Sequence, residues 1–156
     1  MPDQAERLKS LGIELPEMAA PVANYLPYSK TGNLLFIAGQ ISRTKDGSNL
    51  RGKLGQDMDV EEGYDAARSA AIYTLSAIAN AAGSLSNVSR IVRMLGMVNC
   101  TADFGDQPDV INGASDLFVE VFGEAGRHSR AAVGMSSLPG GAAVEIEVIC
   151  ELINGD

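Results

Sequence analysis

The side chains best equipped for chemistry are gathered in the last quarter of the chain. Gly126-Arg127-His128-Ser129-Arg130 leads into a mostly apolar run, Leu138-Pro139-Gly140-Gly141 reads as a turn, and Val144-Glu145-Ile146-Glu147-Val148 follows. Alternation puts Val144, Ile146, Val148 and Cys150 on one strand face and Glu145, Glu147, Ile149 and Glu151 on the other, because side chains reverse at every strand residue. One face is then core, and the other carries chemistry or meets solvent. A fixed guanidinium suits an anion and carboxylates suit proton transfer, while His128, the one histidine of the chain, titrates near neutral pH when unperturbed.

Spacing decides whether these groups can act together. A four-residue loop over 138–141 would set Ser137 opposite Ala142, Gly134 opposite Glu145 and Arg130 opposite Ile149. Arg130, Ala132, Gly134 and Glu145 would then share a face, with Arg130 roughly 13 Å along the strand from the position facing Glu145. Within one hairpin that is too far for both to grip one small molecule. A neighbouring subunit, or the mouth of a curved sheet, has to bring an Arg and a Glu together. A loop one residue longer or shorter would undo this register.

The rest of the chain must supply the scaffold. Its 156 residues suit a single domain over 1–156, with a core that needs no disulfide or metal. Residues 1–18 form an N-terminal extension, with a short amphipathic helix near 4–11 and a Pro-marked connection. Leu34 to Ile41 is a nearly continuous apolar strand, as expected for one buried on both faces or lying at a subunit interface. Asp59 and Glu62 make a capping-box-like start to a helix that stops at Gly83, its alanine stripe implying close approach to a sheet. A strand over 88–100 and a helix over 108–122 opened by Pro108 follow. Strands, helix, strand, helix and hairpin in that order predict an α+β fold, one sheet packed by two helices.

Composition excludes several partners. A formal net charge of −8 argues against nucleic acid, whose binders present a basic patch. No apolar run approaches the roughly 18 residues of a membrane span, and the first residues lack a signal-peptide pattern. Cys100 and Cys150 lack a CxxC spacing, so they read as reduced core thiols of a cytoplasmic protein.

The motifs taken together resemble the Rid family, also called YjgF or L-PSP-like, the reactive-intermediate deaminases. The likeness rests on Gly32-Asn33, Gly39-Gln40-Ile41, Ile111-Asn112-Gly113, Ser129-Arg130, Leu138-Pro139 and Val144-Glu145-Ile146-Glu147. It spans nearly everything after Pro16. A longer branch of the family fits best, marked by the N-terminal extension, Gly52-Lys53-Leu54-Gly55, Asn112-Gly113-Ala114-Ser115-Asp116 and the Gly126 to Arg130 motif.

The resemblance implies a chorismate-mutase-like fold with a mixed sheet, assembled as a homotrimer with three intersubunit clefts, and calls for no cofactor and no metal. Active members hydrolyse an enamine or imine such as 2-aminoacrylate to a 2-keto acid and ammonium. By this likeness Arg130 is the carboxylate-binding arginine and Glu145 the water-positioning glutamate. Tyr25 is the cleft aromatic, Gly39 the strand-end glycine and Asn112 the helix asparagine. Two positions depart from the pattern. Ala132 stands where typical deaminases have cysteine, leaving only its backbone N–H for contact, and His128 replaces a proline.

Each assignment has a plainer competitor. Arg130 can bridge subunits, Glu145 and Glu147 can be solvated strand acids, and Tyr25 can be packing. Asn112 can bond backbone, Gly39 can serve close packing or a bulge, and His128 can be a loop hydrogen-bonder instead of a proton shuttle. The leading expectation is an imine deaminase. Its rival is a non-catalytic module that binds a small carboxylate, and a ribonuclease or translation inhibitor is poorly supported by one histidine and a negative chain.

Overall fold

The computed structural model describes residues 2–154. Helix α1 (Gln4–Ser10) precedes strands β1 (Tyr28–Thr31) and β2 (Leu34–Ile41), then helix α2 (Val60–Ala82) and strand β3 (Val88–Asn99). Helix α3 (Gln107–Phe122), strand β4 (Ser129–Met135) and strand β5 (Val144–Leu152) complete the order. The strands form one mixed sheet, β1-β2-β5-β3-β4, antiparallel except where β4 runs parallel to β3. Helices α2 and α3 lie side by side on one face of the sheet, and the other face is left open.

The local signals act as the sequence predicts. Asp59 accepts a hydrogen bond from the Glu62 N–H while Glu62 accepts one from the Asp59 N–H, and Gly83 ends α2 at φ +80°. Both satisfy helix-end groups that would otherwise be unpaired. Ala66, Ala67, Ala70 and Ala71 of α2 are fully buried. The two helices approach so closely that a Cβ on Gly113 would strike the Tyr64 carbonyl oxygen. Any side chain there would force them apart.

Strand β5 is the centre of the sheet. Val144, Ile146, Val148 and Cys150 are buried beneath the helices and Glu145, Glu147 and Ile149 face away, as their alternation requires. Truncating Ile146 to alanine would cost about 2–5 kcal/mol, because the site is closed on every side. Both cysteines are free and buried. Strand β2 is buried on one face only, with Leu35 and Ile37 inward and Phe36 38% exposed on the open face. Among the described residues no helix is long and apolar enough to cross a membrane.

The expected hairpin does not form. Strand β3 lies between β4 and β5, and the connection over 138–143 crosses beneath its end, held by hydrogen bonds from Asn99 to the carbonyls of Ala142 and Ala143. The physical reason is the β3-α3-β4 unit. A crossover helix returns the chain parallel to the strand it left, so β4 takes one edge of β3 and β5 must take the other. Gly134 is therefore level with Val144 across Val98, and Arg130 with Val148 across Met94. Paired residues share a face, so Arg130 stands with buried Met94 toward the helices, whereas Glu145, paired with Met97, lies on the open face. The expectation that they share a face is corrected.

Candidate active site

Two clusters form, one at each side of the sheet. The first gathers where edge strand β4 meets α3. Arg130 donates from Nη1 to Ser115 Oγ at 3.1 Å and from Nη2 to the Pro108 carbonyl at 3.3 Å. Ser115 Oγ is also 3.0 Å from His128 Nε2, and His128 Nδ1 is 2.7 Å from the Gly126 carbonyl. The Phe118 ring meets the imidazole edge-on, with centroids 5.8 Å apart. Burial holds the His128 pKa below its ordinary value; the Gly126 hydrogen bond works against this and the Arg130 charge adds to it.

A cavity of about 540 Å³ accompanies this cluster, and a second of about 380 Å³ lies beside Gly39 without reaching Glu145. The larger is lined by Asn112, Ser115, Asp116, Arg127, His128 and Arg130. Its acids are engaged, since Asp116 accepts from Tyr64 Oη at 2.7 Å and Glu120 pairs with Arg68 at 2.8 Å. The first of these bonds is the main reason the Tyr64 phenol is pushed up to about 12. Arg130 is in none of the three ion pairs among the described residues. Asn112 makes no side-chain hydrogen bond among them, so its amide faces the cavity unspent. Ala132 packs against the core beside this cluster and brings no polar side chain.

The second cluster surrounds Glu145. Strand β2 carries one extra residue between its Ile37–Val148 and Gln40–Ile146 pairs, a bulge that falls at Ala38 and Gly39. A Cβ on Gly39 would run into Glu145 Oε2, so the glycine is what makes room for the carboxylate. Glu145 is half-buried, and desolvation followed by the charge of Glu147 raises its pKa. Among the described residues no hydrogen bond or ion pair engages it. Glu147 itself is exposed. Tyr25, 58% exposed, lines the smaller cavity together with Gly39, Arg43 and Tyr73.

The structure thus brings Asn112, His128 and Arg130 to one cavity, with Ala132 further along the same strand face, and separately sets Gly39 against Glu145; Tyr25 shares a cavity with Gly39 that Glu145 does not line. It does not unite the two groups within one chain. Arg130 is level with Val148, two strands and three residues from Glu145, so their backbones are about 14 Å apart at ordinary sheet spacings. Their side chains also leave opposite faces. The residue missed by sequence reasoning is Ser115, which joins Arg130 to His128. Its signal was its place three residues after Asn112, one turn along the same helix face. No group of three or more His, Cys, Asp or Glu side chains among the described residues is placed to hold a metal ion.

An α+β sheet with two helices on one face and an arginine on its parallel edge strand is the arrangement of a recognised class. The chain belongs to the family described as "YjgF/chorismate_mutase-like, putative endoribonuclease", whose model matches residues 5–152. It is 44% identical over 151 residues to Protein TCP17 of Trypanosoma cruzi, covering 96% of this chain and 94% of that one. A Shewanella oneidensis structure carrying the same endoribonuclease description has 38% identity and a TM-score of 0.92, over 97% of this chain and 100% of the other. RidA from the Antarctic bacterium Psychrobacter shows 26% identity and a TM-score of 0.58, over 85% and 92%.

Proposed function

We propose that the chain is a cytoplasmic imine and enamine deaminase, working as a homotrimer whose clefts join the Arg130 cluster of one subunit to the Glu145 cluster of the next. One observation carries this reading: a guanidinium fixed by two neutral acceptors, facing a cavity, with no carboxylate among the described residues paired to it. The RidA likeness supports the substrate class. A planar guanidinium matches a small carboxylate in two hydrogen bonds, where a lysine would offer a single point charge.

The chemistry then falls to Glu145. Protonation of an enamine at carbon gives the imine, water adds to the C=N carbon, and the carbinolamine collapses to a 2-keto acid with loss of ammonia, taken up as ammonium. Each step moves a proton, and a half-buried carboxyl whose pKa is raised by desolvation can both give and take one. Gly39 leaves the space in which that carboxyl sits. Tyr25 supplies an aromatic wall, and Asn112 a side-chain amide for the substrate's polar end.

The rival reading is a non-catalytic binder of small carboxylates, favoured by Ala132, which removes a thiol from the cation cluster. Rate measurements separate the two. The enzyme should accelerate ammonium release from 2-aminoacrylate and longer imines over the rate in buffer, and light scattering should give about three chain masses. Binding of 2-ketobutyrate without acceleration on any imine would select the binder, and a monomer at micromolar concentration would remove the shared cleft.

A further inference from the structure

We propose that Ser115, backed by His128, is a positioning residue that orients the Arg130 guanidinium toward its ligand. The inference rests on the reading of Arg130 as the carboxylate anchor and adds to it the device that aims the anchor. The two ends of the hydrogen-bond chain fix its direction. A guanidinium can only donate, and a backbone carbonyl can only accept. Arg130 Nη1 therefore gives its hydrogen to Ser115 Oγ, and His128 Nδ1 must carry the hydrogen that reaches the Gly126 carbonyl.

With Nδ1 protonated in the neutral ring, Nε2 presents a lone pair. The Ser115 hydroxyl hydrogen turns to it, 3.0 Å away. Every hydrogen in the chain is then spent once, in one direction, and the Ser115 lone pair is left pointing at Arg130. Neutral His128 gives the Ser115 hydrogen its acceptor, which an imidazolium, carrying a hydrogen on Nε2 as well, would not.

The second hold on Arg130 comes from the same helix. Pro108 and Ser115 are seven residues apart, two turns of α3, and so lie on one stripe with Asn112 between them. Nη2 is bonded to the Pro108 carbonyl and Nη1 to Ser115. Two bonds to one rigid stripe fix the plane of the guanidinium, and three of its five N–H donors remain for a ligand. Without Ser115 the group keeps a single tether and can swing about it.

The test compares Ser115→Ala, Ser115→Thr, His128→Phe and Arg130→Ala by calorimetry with 2-ketobutyrate and with its neutral amide. Ser115→Ala should weaken the acid about fivefold to tenfold, the worth of one hydrogen bond, and leave the amide unchanged. Threonine, which keeps the hydroxyl, should restore the acid to within about twofold. His128→Phe keeps the ring against Phe118, should cost less than Ser115→Ala, and should add nothing on top of it, since both act through one chain. If Arg130→Ala loses the acid and Ser115→Ala does not, the positioning role is wrong while the anchor stands. If Arg130→Ala binds the acid as wild type does, the anchor itself is wrong.

A ligand-free measurement closes the remaining gap. Rotation of the Arg130 guanidinium should be slow enough in wild type to give distinct Nη resonances, and should average in Ser115→Ala. Because His128 is the chain's one histidine, its ring nitrogens are read without assignment and should show the hydrogen on Nδ1. Equal averaging in both proteins, or a neutral ring protonated on Nε2, would overturn the proposal.

Discussion

The two clusters are prepared in opposite ways. Around Arg130, order comes from added bonds: Ser115 and Pro108 hold the guanidinium, and His128 and Gly126 hold Ser115 in turn. Around Glu145, the arrangement comes from removal, since Gly39 has no side chain, the β2 ladder is broken by a bulge, and no partner among the described residues engages the carboxylate. Under the proposed function, a cation that grips a planar ligand gains from being held still, and an acid that exchanges protons gains from being left unpaired in a partly dry place.

Strand β5 contains its own control for this difference. Glu151 is on the same face as Glu145, yet Arg90 and Asn33 bond it at 2.8 and 3.0 Å. Those bonds, Arg90 first, lower its pKa, where that of Glu145 is raised. Glu145→Gln should therefore cut turnover by about 10²–10⁴, the usual contribution of a positioned acid–base, while ligand affinity stays near wild type. Glu151→Gln should leave both unchanged. Ammonium-release rates for the pair decide it, and equal losses would mean that strand acids act here through stability alone.

Gly39 offers a smaller and sharper intervention. Its φ is not in the left-handed region, and the atom an added Cβ would meet is the tip of a flexible side chain. Gly39→Ala should fold normally and push the Glu145 carboxylate aside. A displacement near 1 Å commonly costs about a hundredfold in rate, so turnover should fall toward that level with the melting temperature held. A variant that melts early would show the glycine serving packing, and one with full activity would show the carboxylate free to sit elsewhere.

What was legible in the sequence was local. Asp59 with Glu62, Gly83, Pro108 and the alternation of β5 each act through neighbours a few residues away, so pattern alone reveals them. The hairpin failed because Leu138 to Gly141 announces a change of direction and carries no information about which strand lies alongside. Alternation told which face of β5 was core; it could not tell that β3 would intervene and send Arg130 to the helix side. Ser115 was hidden for a related reason. A serine on a helix acquires meaning only when a strand from elsewhere sets an arginine against it.

The smallest expected effect contrasts the two clusters most directly, because their ionisations pull on stability in opposite senses. Asp116, Arg127 and Arg130 surround His128, and its folded pKa lies below the 6.5 of the free ring. As pH falls through 6.5 the unfolded chain takes up a proton that the folded chain refuses, so stability declines until the lowered pKa is passed. Glu145 runs the other way. Its folded pKa lies above 4.5, so on acidification the folded chain takes up its proton first and stability rises between those two values. Melting curves between pH 4.5 and 8, values that span both windows, should show this in the variants. Against wild type, His128→Phe should lose less stability on acidification, and Glu145→Gln should gain at neutral pH an advantage that shrinks toward pH 4.5, each within about 2–4 °C. Parallel curves for both variants would mean that neither group is perturbed by its cluster, and that the contrast between a bonded cation and an unpaired acid has no energetic content.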